Sequence, residues 1–300
     1  MTCFAVLLAE PLEQSALLAA ERAIDLAGGE ITALRSLSLH PAAAELTIDA
    51  LDAATARPIL RDALADHAVD LCVEDAVDDV RPPKRLLLMD VDSTLVAGEV
   101  IDTLAAHAGK GAEVAAVTER AMRGELDFTA SLHERVATLA GLPATVLEEV
   151  RDSLRLTPGA LTLIGTLQQQ GALVGAVSGG FQQILDPLAD EIGLDYAAAN
   201  TLEVRDGMLT GKVTGAIVDR AGKARALREL AERNGIAAHQ TVAVGDGAND
   251  LDMIGAAGVG IAFNAKPIVQ LEAPSSLNQP SLDCVLLLLG IPRDAFAVGD

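Results

Sequence analysis

Three runs of continuous apolar residues, each ending at once in a polar cluster, constrain this 300-residue chain more than any other feature. The runs are Leu86–Met89, 173–177 and 242–244, with a weaker fourth at 260–263. A strand of this length without polar alternation is buried on both faces, as in a parallel sheet covered by helices. Open sheets of that kind place their ligands at the carboxyl ends of the strands. Here those ends carry Asp90-Val91-Asp92-Ser93-Thr94, Ser178-Gly179-Gly180 and Gly245-Asp246-Gly247-Ala248-Asn249-Asp250. The three clusters are therefore expected to converge on one site.

The rest of the pattern predicts an α/β class with two units. Strands at 4–9, 31–39, 44–50 and 69–73 alternate with helices at 12–26 and 53–67 in the order β-α-β-β-α-β. That order predicts a ferredoxin-like α+β domain over 1–75. An acidic stretch and Arg81-Pro82-Pro83-Lys84-Arg85 follow, and the double proline marks 76–85 as a linker. Residues 86–300 form the second unit. Within it, about 99–157 reads as helices broken at 109–111, Gly124 and 141–143. This span exceeds what a parallel crossover needs, so it is expected to form a helical cap over the strand ends. Residues 201–218, centred on Asp206-Gly207, predict a β-hairpin.

Charge limits the partners. Lys and Arg number 22 against 43 Asp and Glu, a net charge of −21. Such a surface repels phosphate backbones, so neither nucleic acid nor an anionic membrane is an expected partner. No apolar run approaches the ~18 residues of a membrane span. The amino terminus lacks a basic start, and the three scattered cysteines fit buried thiols in a reducing compartment, so the expected location is cytoplasmic. An anionic ligand would need a locally positive site.

The polar clusters offer one. Asp90 and Asp92 stand two residues apart at a strand end, and two carboxylates this close need a cation or a proton between them. A turn or a calcium-type loop would use the same pair. A hard ion that takes few protein oxygens is typically Mg²⁺, and Asp246 could supply a further carboxylate. Ser178-Gly179-Gly180, placed before a helical run at 181–189, offers a hydroxyl and backbone N–H groups to an anion, although such tripeptides also make ordinary turns. Lys223, at the start of a helix at 224–233, is either a cation for that anion or a surface lysine. Phosphoryl transfer is largely positioning and charge stabilisation, and it uses these parts.

Taken together, Asp90-Val91-Asp92-Ser93-Thr94-Leu95-Val96, Ser178-Gly179-Gly180-Phe181, Lys223 and Gly245-Asp246-Gly247-Ala248-Asn249-Asp250 resemble the four motifs of the haloacid dehalogenase (HAD) superfamily. Within it they are most similar to the phosphoserine phosphatase family, as are Glu99-Val100-Ile101-Asp102, Phe128, Arg135, Asn200 and Ala265-Lys266-Pro267. The resemblance spans about 85–290. It implies a HAD-like Rossmannoid sheet with an inserted helical cap, and Mg²⁺-dependent hydrolysis of O-phospho-L-serine, the last step of L-serine biosynthesis. Asp90 is then the nucleophile that forms an aspartyl-phosphate, and Asp92 the general acid and base. Asp90, the Asp92 backbone carbonyl and Asp246 hold the metal. Ser178, Gly179 and Lys223 hold the phosphoryl group, and Asn249 fixes the substrate while Asp250 orients its neighbours. Glu99 would meet the substrate ammonium and Arg135 its carboxylate.

Residues 1–75 resemble an ACT domain, which implies a possible homodimer through that unit. Alternatives within the class are a phosphatase or a phosphotransferase acting on another small phosphomonoester. From another class comes a catalytically silent, amino-acid-sensing regulatory protein. Silent versions lose the nucleophile or the acid, and this chain keeps both Asp90 and Asp92.

Overall fold

The computed structural model describes residues 1–298 apart from Gly124. It begins with β1 (Thr2–Ala9), α1 (Gln14–Leu26), β2 (Glu30–Leu39), β3 (Ala42–Asp49), α2 (Ala53–Ala63) and β4 (Asp70–Asp75). These four strands form an antiparallel sheet in the order β2-β3-β1-β4. The order is the ferredoxin-like one. Two apolar faces explain why it folds so. Ala16, Ala20 and Ile24 of α1 and Ala56 and Leu60 of α2 recur at helical spacing and pack on Cys3, Ala5 and Leu7 of β1. Asp52 caps α2 by accepting from the Thr55 amide at 2.9 Å.

The alternate residues of β1, Val6 and Leu8, point the other way, into the core of the rest of the chain. The chain continues with β5 (Leu86–Met89), α3 (Val100–His107), α4 (Gly111–Met122), α5 (Phe128–Ala137), α6 (Val146–Ser153) and α7 (Ala160–Gln169). Next come β6 (Leu173–Phe181), α8 (Gln182–Ile192), β7 (Tyr196–Arg205), β8 (Met208–Thr214) and α9 (Arg220–Arg233). It closes with β9 (Thr241–Gly245), α10 (Leu251–Ala256), β10 (Val259–Phe263), α11 (Pro267–Glu272), β11 (Ser275–Leu277) and α12 (Cys284–Leu288). Seven strands make one sheet in the order β11-β10-β9-β5-β6-β7-β8. Strands β5, β6, β7, β9, β10 and β11 run parallel, and β8 returns antiparallel on β7. β5 lies inside the sheet, and its alternate residues enter two apolar clusters, Leu87 and Met89 on one face and Leu86 and Leu88 on the other, so every residue of it is fully buried.

The expected helical insertion is present as α3 to α6, with breaks near residue 109 and residue 141; the expected break at Gly124 lies outside the described residues. The hairpin turns at Asp206-Gly207, both in the left-handed region that a two-residue turn requires. One expectation needs correction. β6 runs on through Ser178, Gly179 and Gly180 to Phe181, and α8 starts only at Gln182. The Ser-Gly-Gly segment is thus an extended strand end rather than a helix N-terminus. Phe181 pairs with Asn200 of β7 beyond a register shift, and this pairing prolongs the strand.

The segment expected as a linker is held by charge. Lys84 is buried and pairs with Glu74 of β4, which also pairs with Arg81. Arg81 reaches Glu45 of β3 at 2.9 Å and lies 5.1 Å over the Phe4 ring. The prolines exclude regular structure here, but the basic residues beside them fasten the N-terminal sheet to the second sheet. Cys3, Cys72 and Cys284 are free and buried, and burial pushes the Cys3 and Cys284 thiols up to about 12. No helix among the described residues is long and apolar enough to cross a membrane.

Candidate active site

The sheet order places the three polar clusters side by side. β5 lies between β9 and β6, and Met89 is level with Val244 on one side and Ala176 on the other. Asp90 and Asp246 thereby follow the ends of adjacent strands, with Ser178 near the end of β6 beside them. A cavity of about 410 Å³ opens there, lined by Asp90, Asp92, Glu99, Arg135, Gly179, Asp246 and Asn249. The cap contributes Phe128, Leu132 and Arg135 from α5, and Lys266, just before α11, also lines the cavity.

Ser178 and Lys223, expected beside the ligand, sit one layer behind this lining. Lys223 is only 1% exposed, and its Nζ lies 2.6 Å from Asp90 Oδ1 and 2.7 Å from Asp250 Oδ1. Burial opposes its charge, yet Asp90 and Asp250 outweigh that and raise its pKa. Ser178 Oγ donates to Asp92 Oδ2 at 3.0 Å and accepts from the Gly180 amide at 2.7 Å. The other Asp92 oxygen accepts from the Val100 amide at 2.7 Å, which ties the loop after β5 to the start of α3. Ser93 adopts a left-handed φ of 56° in that loop, and its amide donates to Gly98 O. This tight reversal turns the Asp92 carboxylate back toward Ser178.

Carboxylate oxygens of Asp90, Asp246 and Asp250 lie within 4.8 Å of one another. One lysine cannot neutralise three carboxylates. Burial first, and then the Asp250 charge, raise Asp90 well above the usual carboxylate range, and the same two effects push Asp246 to about 6. The donor set is thus oxygen-only, clustered and short of positive charge, which fits a hard divalent cation. The Asp92 carboxylate stands outside this cluster, engaged by Ser178 and Val100. Asp250 stands inside it, with Oδ1 2.7 Å from Lys223 Nζ. Its position depends on Gly245, because a Cβ there would lie 2.4 Å from Asp250 Cγ. Asp250 Oδ2 also accepts from the Gly247 amide at 2.9 Å, which closes the loop.

Arg135 and Glu99 differ from the other charges. The acid next to Arg135 in sequence, Glu134, pairs with Arg120 at 2.5 Å. Among the described residues, neither Arg135 nor Glu99 has an oppositely charged partner within 4.0 Å. Among the described residues, the Arg135 side chain bonds only the Ser131 carbonyl, at 3.4 Å, and the Glu99 carboxylate only Ser93 Oγ, at 3.2 Å. Glu99 faces solvent, but the cavity walls and then the Asp92 charge raise its pKa to about 7.

The sequence profile of the haloacid dehalogenase-like hydrolase family matches residues 87–254, which contain all the strand-end clusters. The chain belongs to that family. Relatives of this haloacid dehalogenase-like hydrolase include a phosphoserine phosphatase of Streptomyces coelicolor, 52% identical over 98% of this chain and 72% of its own. A haloacid dehalogenase family hydrolase of Salmonella enterica serovar Typhi has a similar structure over 96% of this chain and 99% of its own, at 31% identity and a TM-score of 0.81. A phosphoserine phosphatase solved with its substrate superimposes at a TM-score of 0.64 and 42% identity, over 68% of this chain and 98% of its own. The matched residues 87–254 lie within the part of the chain that follows the N-terminal sheet.

Two residues without an assigned role also shape the site. Thr94 is fully buried and its Oγ1 donates to Asp246 Oδ1 at 3.3 Å. Asn200 is 1% exposed; its Nδ2 donates to Gly179 O and its Oδ1 accepts from the Val218 amide, both at 2.8 Å. A buried amide bridging two backbone segments leaves no periodic trace in a sequence, whereas Thr94 could be suspected from its place two residues after Asp92.

Proposed function

We propose that this hydrolase is a Mg²⁺-dependent phosphoserine phosphatase, converting O-phospho-L-serine to L-serine and phosphate. The observation that carries the substrate is the pair Glu99 and Arg135: an anion and a cation on one cavity, neither paired within the protein. A zwitterionic amino-acid head group satisfies both, and a guanidinium takes a carboxylate with two parallel hydrogen bonds.

The reaction divides into two displacements. A carboxylate oxygen of Asp90 attacks phosphorus, the bond from phosphorus to the serine oxygen breaks, and that oxygen takes a proton from Asp92. Water then attacks the aspartyl-phosphate, Asp92 accepts its proton, and phosphate leaves with the Asp90 carboxylate restored. Burial raises the Asp92 pKa, which favours the protonated form from which an acid starts. The Gly179 amide would face the phosphoryl oxygens and Lys223 would add its positive charge from behind Asp90, with Ser178 holding Asp92 and the strand end. Asn249 would fix the substrate, and Asp250 keeps Lys223 in place. Mg²⁺ held by Asp90, Asp246 and the Asp92 carbonyl would supply positive charge to the phosphoryl oxygens.

A net charge of −21 supports a small-molecule partner over nucleic acid, and the buried free thiols support a cytoplasmic setting. The exposed edge strand β2 supports self-association through the N-terminal sheet.

Phosphate release from a panel of phosphomonoesters, with and without Mg²⁺, tests the reading. Phosphoserine should be preferred, and Arg135→Ala should lower its kcat/KM on the order of 10²-fold. Phosphoethanolamine, which lacks the carboxylate, should be nearly indifferent to that change. Equal turnover of phosphoserine and sugar phosphates would refute the assignment of Glu99 and Arg135.

A pH dependence follows as well. Glu99 must be ionised to hold an ammonium, and its pKa is raised to about 7, so it is protonated below that value. The kcat/KM for phosphoserine should therefore fall as pH drops below about 7. Glu99→Gln should be poor on phosphoserine, and its acid limb should move in pH from the wild-type position, since what remains belongs to Asp90 and Asp246, which must also be ionised. An acid limb unchanged in position in Glu99→Gln would show that Glu99 does not set it.

A further inference from the structure

The edge of the N-terminal sheet reaches the cavity through a short line of hydrogen bonds. Asp70, the first residue of β4, is only 3% exposed and has no basic partner within 4.0 Å among the described residues. Its carboxylate is satisfied by the segment after β11. It accepts from the Asn278 amide at 2.9 Å, from Asn278 Nδ2 at 2.8 Å and from Gln279 Nε2 at 3.3 Å. Because an ionised carboxylate only accepts, the nitrogen of the Asn278 amide must face Asp70 and its oxygen must face away. That oxygen accepts from Gln270 Nε2 of α11 at 2.8 Å. The same Nε2 donates to Ala265 O at 2.7 Å. Ala265 directly precedes Lys266, which lines the cavity together with Ile268 and Val269.

A second attachment comes from α2. Arg61 Nη2 donates to Ala273 O at 2.9 Å and Pro274 O at 3.2 Å, just past the end of α11. A cation there suits the negative end of a helix. Helix α11 has six residues and only Val269 is buried, so packing alone fixes it weakly. Its place depends on these polar tethers. Lys266 is one of two basic residues lining the cavity, Arg135 being the other.

We infer that Asp70, Asn278 and Gln270 are positioning residues through which the N-terminal sheet sets Lys266 for capture of the anionic substrate. The inference rests on the phosphatase reading for its kinetics but not for its structural readout. Gln270 is half-buried on the surface, so its variants should fold. Gln270→Glu removes the donor to Ala265 O and to Asn278.

In the 300-residue chain, Gln270→Glu should raise KM for phosphoserine about 3- to 10-fold with kcat within about twofold, since displacement of a binding group costs capture before chemistry. Gln270→Lys, which keeps a donor, should retain most of the affinity. Lys266→Met should raise KM comparably, and the double variant should be no worse than Lys266→Met alone, the signature of one shared effect. Amide hydrogen exchange over residues 265–272 should accelerate in Gln270→Glu, whatever the substrate proves to be. Unchanged exchange in that segment, or fully additive KM effects, would overturn the inference. Absence of phosphate release by the wild-type chain would instead overturn the phosphatase reading and leave the exchange result to decide this one.

Discussion

Asp90→Asn should lose phosphate release on the order of 10⁴- to 10⁶-fold while remaining folded. The substitution keeps the shape and removes the attacking charge, so the first displacement has no nucleophile. It also removes one of three clustered carboxylates, which relieves repulsion around Lys223 rather than adding to it. Thermal stability should therefore hold or rise as activity vanishes, a combination that simple misfolding cannot give. Incubation with substrate and acid quench should show a phosphorylated protein in the wild type and none in the variant. Activity within about tenfold of wild type would exclude Asp90 as the nucleophile.

Lys223→Met should damage both folding and chemistry. The side chain is 1% exposed and contacts Asp90 and Asp250, which are themselves 4% and 0% exposed. Methionine fills the same tunnel but leaves those carboxylates without a cation. Breaking a buried pair by removing one partner costs about 3–5 kcal/mol, because the remaining charge stays buried. Urea denaturation should show a loss of that size in metal-free protein. Added Mg²⁺ should return more stability to the variant than to the wild type, since an ion at Asp90 and Asp246 takes over part of the lysine's electrostatic task. Activity should still fall about 10²- to 10³-fold, as for loss of one preorganised charge facing a transition state. A variant as stable as wild type without metal would mean that the carboxylates are protonated and that Lys223 is not their counter-charge.

Much of the site was legible because strand ends leave a strong trace. Leu86–Met89 followed by Asp90 marks both a doubly buried strand and its carboxyl end, and parallel topology brings such ends together. The N-terminal sheet was equally open to reading, since its helices and strands keep clean periodicities over 1–75. The end of β6 was not. Whether Ser178-Gly179-Gly180 turns into a helix or stays extended is decided by pairing of Phe181 with Asn200, a residue on another strand. Lys223 and Ser178 could be assigned to the site, but not to the layer behind the cavity lining, because depth depends on which carboxylate the lysine meets. The line from Asp70 to Ala265 was invisible for the same reason: Asp70 and Asn278 are 208 residues apart, and glutamine or asparagine side chains on loops show no pattern.

Val6 and Leu8 share one apolar core with Leu286 and other residues of α12, while the opposite face of β1 is covered by α1 and α2. The substrate-bound relative is nearly complete with about two thirds of this chain's length, so the hydrolase fold has a shorter version. Deleting the N-terminal sheet from this chain would not give that shorter version, because the two parts share a core. Loss of residues 1–80 would uncover α12, leave Lys84 without Glu74 and release the far end of α11 from Arg61. The N-terminal sheet thus serves as a wall of the hydrolase body, and a stable truncated chain would need polar replacements on α12 and at Arg81 and Lys84.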